Sequence, residues 1–317
     1  MTEIGGYFSL EHSHIGNIPN STGVLLNTGR NALEYVLRSL LPAISKLYIP
    51  YFTCDTVLEL LVKLGISYEF YSININLELY NGIALKKDEY LWYTNYYGIK
   101  DAYVQELDRL YSNRLIVDNA QALFCQATDR CLHSPRKYVG IPDGGIAFTD
   151  RPILDSFETD YSYDRCNHLL QRIDTGAGAG YTEFRTNSMK LKNQPIRQMS
   201  KLTRALVNSI DFETVKKKRR KNFQMIHEVL GKNNRLAIPD MDTFECPLVY
   251  PYFTDDSKLK KKLIENKIFV ATYWPNVYEW CKEESLEYQL ADKIIAIPID
   301  QRYGEGEMKY VIEKILS

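Results

Sequence analysis

A mostly parallel, doubly wound α/β sheet followed by a smaller α+β unit is the fold class this sequence predicts, on three observations. Strand-like and helix-like segments alternate through the first half of the chain. An apolar run, Leu115-Ile116-Val117, stops abruptly at Asp118. From Asp211 onward a long helix is interleaved with two short strands. Such alternation marks parallel strands joined by helical crossovers. In order, apolar residues at 32, 33, 36, 37, 40 and 41 line one face of a helix that starts at Arg30 and that Pro42 stops. Leu47-Tyr48-Ile49 predicts a strand, and residues 55–64 a helix closed by Gly65. Residues 68–73 and 90–94 predict strands, 104–111 a helix, 114–117 the strand that ends at Asp118, and 145–149 a further strand.

Residues 161–194 are polar around Gly176-Ala177-Gly178-Ala179-Gly180 and predict a loop with flanking helical pieces. Asp211 predicts the N-cap of a long helix that turns Phe212, Val215, Phe223, Ile226 and either Val229 or Leu230 inward. A strand over 248–253, a helix over 257–266, a strand over 294–297 and a helix over 305–316 complete the chain. The expected division is a large unit over 1–210 and a small one over 211–317, and no internal repeat is present.

At 317 residues the chain is long enough to bury two cores. A formal charge of −1 gives no electrostatic footprint for nucleic acid or an acidic membrane. The 45% hydrophobic content is that of an ordinary globular protein. Six scattered cysteines (54, 125, 131, 166, 246 and 281) lack a disulfide-scaffold spacing, so reduced thiols in a soluble cytoplasmic protein are expected. The start, Met1 to Gly6, lacks the basic and apolar parts of a secretion signal, and no uncharged apolar run nears the roughly 18–20 residues of a membrane helix. His12 with His14, and Cys125, Cys131 and His133, lack the paired spacing of zinc ligands, so no metal site is expected. The glycines at 176–180 follow no strand, which argues against a dinucleotide fingerprint. The run Lys216 to Lys221 is expected on the solvated face of its helix.

Candidate chemistry gathers around Asp118. A carboxylate ending a buried strand stands at the sheet edge where open α/β sheets bind ligands. Lys137 follows nineteen residues later, just before Asp143-Gly144-Gly145. Pyridoxal phosphate needs such a pair: an amine for a Schiff base, and a carboxylate that keeps the pyridine nitrogen protonated. The plainer alternative is an Asp that makes a turn and a lysine in a solvated loop. Thr28-Gly29, at the start of an amphipathic helix, offers unpaired N–H groups suited to a phosphate, or serves as an ordinary N-cap.

Around these residues the chain resembles the DegT/DnrJ/EryC1/StrS family of sugar aminotransferases, pyridoxal phosphate enzymes of fold type I. Asp118-Asn119-Ala120-Gln121-Ala122 looks like the family's Asp-x-Ala-(His/Gln)-Ala, and Ser134-Pro135-Arg136-Lys137 with Asp143-Gly144-Gly145 like its lysine segment. Asn27 to Leu33 resembles its phosphate turn, Ile49-Pro50-Tyr51-Phe52-Thr53 its Val-Pro-x-Phe-Thr, Tyr96-Tyr97-Gly98 its Leu-Tyr-Gly, and Ile297-Pro298-Ile299-Asp300 its Leu-Pro-(Leu/Ile)-His. The order holds from about residue 25 to the end, with a poor match over 150–210. Two departures stand out: Lys137 follows Ser134 by three positions instead of the family's five, and Cys54 replaces the usual ring-stacking aromatic.

The resemblance implies that Lys137 binds the cofactor and serves as general base, that Asp118 faces the ring nitrogen, and that Thr28, Gly29, Arg30 and Ser134 hold the phosphate. Gln121 then either bonds the cofactor's 3′-oxygen, packs near the ring, or caps a turn. Arg136 either lowers the pKa of Lys137 or points to solvent. Arg302 either binds a substrate carboxylate or phosphate, or forms a surface ion pair. The resemblance further implies a homodimer with interfacial active sites, a keto-sugar nucleotide acceptor, an amino donor such as glutamate, and a place in surface polysaccharide or related biosynthesis. A dehydratase, a non-sugar aminotransferase and a catalytically silent binding or regulatory protein are the alternatives.

Overall fold

Seven strands form the main sheet of the computed structural model, which describes residues 7–317. Met1 to Gly6, read above for a secretion signal, lies outside the described residues. The strands are β1 (Val24–Leu26), β2 (Lys46–Pro50), β3 (Ser67–Tyr71), β4 (Glu89–Thr94), β5 (Leu115–Asn119), β6 (Cys131–His133) and β7 (Gly145–Phe148). Their order is β1-β7-β6-β5-β4-β2-β3. The β2–β3, β2–β4, β4–β5 and β5–β6 pairs are parallel, and β7 runs against both its neighbours. The mostly parallel sheet expected from the alternating pattern is present. β1 and β6, at three residues each, are too short for any periodicity to announce them.

Helices α1 (Gly29–Ser39), α2 (Asp55–Leu64) and α3 (Asp101–Tyr111) accompany the strands. The stretch expected as a loop with helical pieces holds α4 (Asn167–Thr175) and α5 (Tyr181–Lys190), joined through the glycine segment, and α6 (Lys201–Asn208) follows. The remainder comprises α7 (Phe212–Leu230), β8 (Tyr250–Phe253), α8 (Leu259–Glu265), α9 (Val277–Trp280), α10 (Leu286–Lys293), β9 (Ile294–Ile297) and α11 (Glu305–Leu316), with β8 and β9 paired antiparallel. Asp211 caps α7 by accepting from the Thr214 N–H at 3.0 Å. Leu230 is the inward residue of the expected pair, Val229 the exposed one.

Both faces of the sheet are covered, which is why β4 and β5 read as near-continuous apolar runs. Tyr90, Trp92 and Ile116 pack with Leu33, Val36 and Leu37 of α1. Leu91, Tyr93, Leu115 and Val117 join a cluster that continues to Phe223, Tyr250, Ile295 and Val311.

The basic run of α7 departs from expectation. Lys216 pairs with Glu245 near the surface, but Arg219 is 2% exposed. Its guanidinium donates to the carbonyls of Leu248 (2.8 Å) and Tyr138 (3.0 Å) and lies 4.6 Å from the Tyr138 ring centroid. A buried arginine survives there because carbonyls fill its donor positions. Arg219 thereby ties the lysine-bearing loop to the second half of the chain.

Candidate active site

A cavity of about 410 Å³ opens at the C-terminal ends of the central parallel strands, where the sheet hands its chains over to loops. Thr53 and Cys54 reach it from the end of β2, Trp92 from β4, Asp118 and Ala120 from β5, Ser134 from just beyond β6, and Thr28, Gly29 and Arg30 from the start of α1. Arg136, Lys137, Asp143 and Gly144 close one side, and Ser188, Leu191 and Lys192 lie across it at the end of α5. Seven of the eight residues predicted from sequence, Thr28, Gly29, Arg30, Cys54, Asp118, Ser134 and Lys137, line this one cavity.

Asp118 stands opposite Thr94 in the β4–β5 register, and its Oδ1 accepts the Ala120 N–H at 2.8 Å. The turn-making alternative is thus also true of it: the turn fixes the carboxylate and leaves it on the cavity wall. Burial raises its pKa above the usual carboxylate value, against the opposing pull of the Lys137 charge and the Ala120 N–H. Lys137 lies in a single turn of 3-10 helix, Pro135–Lys137, with its side chain exposed. No side-chain hydrogen bond or ion pair occupies its amine among the described residues.

The hollow around Thr28, Gly29 and Ser134 is assembled from three segments. Thr28 caps α1, its Oγ1 accepting the Asn31 N–H at 2.9 Å, and the first turn holds no acidic residue. The positive end of the helix is therefore not neutralised from within. A Cβ on Gly29 would sit 3.0 Å from Ser134 Oγ, so the missing side chain leaves the hydroxyl and the helix end facing a common hollow. The Gly144 N–H donates to the Asn27 carbonyl at 2.7 Å, and a Cβ on Gly145 would lie 2.2 Å from the Thr28 carbonyl oxygen. Only glycine permits that approach. Asp143 anchors the glycine pair: it is buried and accepts from Ser162 Oγ and Thr203 Oγ1, each at 2.5 Å, with Arg165 at 3.0 Å. Gly145→Ala is accordingly expected to lower stability by about 1–3 kcal/mol and to weaken cofactor binding, because Thr28 must move. Thermal denaturation and a cofactor titration of the variant check this.

Arg30 contributes its backbone to the helix start while its side chain pairs with Glu59 of α2. Cys54 caps α2, and its Sγ contacts Thr56 Oγ1 at 3.2 Å. Burial pushes its thiol pKa up, with Thr56 and Lys137 opposing, so the neutral thiol offers a small apolar surface where the family has an aromatic.

Gln121 takes the turn-capping alternative. It does not line the cavity. Its Oε1 accepts the Tyr97 N–H at 2.7 Å and its carbonyl accepts the Tyr138 hydroxyl at 2.6 Å. Tyr97 carries a positive φ of 55°, and its turn needs an acceptor there, which claims the amide oxygen. Arg302 also stays out of the cavity, held bidentately by Asp300 at 2.6 and 2.8 Å.

Trp92, Ser188 and Lys192 were missed from sequence. Strand parity would have found Trp92, since it lies two residues before Thr94, the register partner of Asp118, and so shares its face. Nothing local marks the end of α5.

No protein-family model and no curated protein sequence matches the chain. Solved structures do. DesV from S. venezuelae, in complex with a ketimine intermediate, superposes at a TM-score of 0.63 with 15% identity over 92% of this chain and 83% of that one. A DegT DnrJ EryC1 StrS aminotransferase from Brucella abortus gives 0.62 and 14% over 92% and 84%. The sugar aminotransferase CalS13 from Micromonospora echinospora gives 0.60 and 14% over 93% and 87%. The chain has the fold type I architecture of these aminotransferases.

Proposed function

We propose that this protein is a pyridoxal phosphate-dependent aminotransferase that moves an amino group from an amino acid such as glutamate to a keto-sugar nucleotide. The observation that carries the reading is the convergence of Lys137, Asp118 and the Thr28-Gly29/Ser134 hollow on one cavity. The cofactor, when bound, supplies an electrophilic carbon for amines and a ring that accepts the electron pair left on a substrate carbon. The remaining work falls to the chain. Lys137 anchors the cofactor and, once its amine is free again, carries a proton between substrate atoms. Asp118 holds the proton on the ring nitrogen. The α1 N-terminus and the Ser134 hydroxyl hold the phosphate, and Trp92 and Leu132 wall off water.

The sugar acceptor rests on the motif resemblance and on the naming of CalS13 as a sugar aminotransferase. A homodimer is supported by apolar side chains left exposed over residues 154–189, among them Leu154, Ile173, Tyr181 and Met189, and interfacial sites by the Ser188 end of that stretch lining the cavity. In this reading residues 1–210 hold the cofactor and 211–317 form the smaller unit. A cytoplasmic setting in surface polysaccharide or related biosynthesis accords with six free cysteines. No helix among the described residues is long and apolar enough to cross a membrane. Adding glutamate or glutamine to the cofactor-loaded protein should shift its visible absorption, and a nucleotide-linked keto-sugar should reverse the shift. Reversal by simple keto acids alone would replace the sugar acceptor, and failure of every amino donor would favour a dehydratase or a silent binder.

A further inference from the structure

Arg136 is the one arginine of the cavity wall without a counter-ion among the described residues. Arg30 is paired with Glu59. Lys192 also lines the cavity, but it is exposed, so water satisfies its charge. Arg136 is half-buried: its Nη2 donates to Ser188 Oγ at 2.9 Å, and its guanidinium carbon lies 5.1 Å from the Phe184 ring centroid. Its Nε is inaccessible and has no hydrogen-bond partner. The nearby carboxylate of Asp143 is already taken by Ser162, Thr203 and Arg165. Burial lowers the guanidinium pKa, as an uncompensated charge requires. Leaving a charged fork desolvated against an aromatic ring is costly unless an anion completes it. The family resemblance does not supply that anion, because Arg136 lies in the shortened segment between Ser134 and Lys137.

We infer that Arg136 binds the α-carboxylate of the amino donor and so sets its specificity for α-amino acids; this rests on the aminotransferase reading above. Position selects the carboxylate over a nucleotide's phosphates. Arg136 directly precedes Lys137, whose place the donor's amine takes, and an α-amino acid carries its carboxylate on the same carbon as that amine. In a sugar nucleotide the diphosphate is separated from a reacting ring ketone by other ring atoms. A planar guanidinium also matches two carboxylate oxygens at once. The Phe184 and Ser188 contacts hold the fork in place before the donor arrives.

The test uses isothermal titration calorimetry on the protein with and without pyridoxal phosphate. L-glutamate and L-glutamine are compared with their decarboxylated counterparts, 4-aminobutyrate and 4-aminobutyramide, and UDP probes the phosphate source. The wild type should bind the carboxylated member of at least one pair about tenfold or more tightly. Arg136→Met should erase that preference, Arg136→Lys should restore part of it, and UDP binding should not change in either. A fold defect would not produce this pattern, because it would weaken all the ligands together. A wild type without the preference, an Arg136→Met variant that keeps it, or one that loses UDP binding equally would overturn the inference. Borohydride labelling of Lys137 separates the two levels: label present with preference retained in Arg136→Met sinks only the role of Arg136, whereas absence of label sinks the cofactor reading.

Discussion

Replacing Lys137 by Ala should cut transamination by at least about 10⁴-fold, more than ~5 kcal/mol of transition-state stabilisation, because in the proposed reaction one side chain serves as both anchor and general base. The fold should hardly notice. Lys137 is exposed, and its amine has no hydrogen-bond partner among the described residues, so the stability change should stay within about 0.5 kcal/mol. A large activity loss with an unchanged melting temperature of the cofactor-free protein is therefore the expected pair of results. Added primary amines should recover part of the rate, since they replace the lost base but not the anchor. Turnover within a hundredfold of wild type would show that another lysine does this work, and Lys192, on the same cavity wall, would be the first suspect.

Asp118→Asn should separate holding the cofactor from tuning it. Cofactor binding through Lys137 and the phosphate hollow should persist, while turnover falls by several orders of magnitude, more than ~4 kcal/mol at ~1.4 kcal/mol per tenfold. Asparagine keeps the shape and can still accept the Ala120 N–H, but it brings no negative charge to hold a proton on the ring nitrogen. Stability provides an independent check. Burial raises the Asp118 pKa, so the folded, cofactor-free protein binds this proton more tightly than the unfolded chain. Stability then falls as pH rises from the ordinary carboxylate range through the raised value, and the cost is fully present above it. Removing the charge removes that cost. Cofactor-free Asp118→Asn should be at least as stable as wild type at pH 7 and should lose the difference in acid. A variant with near-normal turnover would show that Asp118 does not face the ring.

What could be read from sequence was whatever depends on neighbours along the chain. Asp118 was legible because a strand end and its turn are local, and Thr28-Gly29 because a helix start is local. The Asp211 cap and the helix over 305–316 followed for the same reason. Residues governed by distant partners were not legible. Gln121 stayed open between cofactor and turn because the turn at Tyr97 that claims its oxygen lies twenty-four residues away. Arg136 remained open until α5 brought Phe184 and Ser188 against it. Arg219 belonged by composition to a solvated basic run, yet backbone carbonyls from two remote loops draw it inward. Parity along β4 held usable information on Trp92, since a strand's faces alternate whatever the tertiary contacts.

The central claim is that pyridoxal phosphate is carried on Lys137 in this cavity. Borohydride reduction of the cofactor-loaded protein, followed by peptide mapping, tests it most directly. The account predicts a single pyridoxyl group on Lys137, in the peptide that also contains Arg136. A label on Lys190, Lys192 or any other lysine, or no label at all, would contradict it.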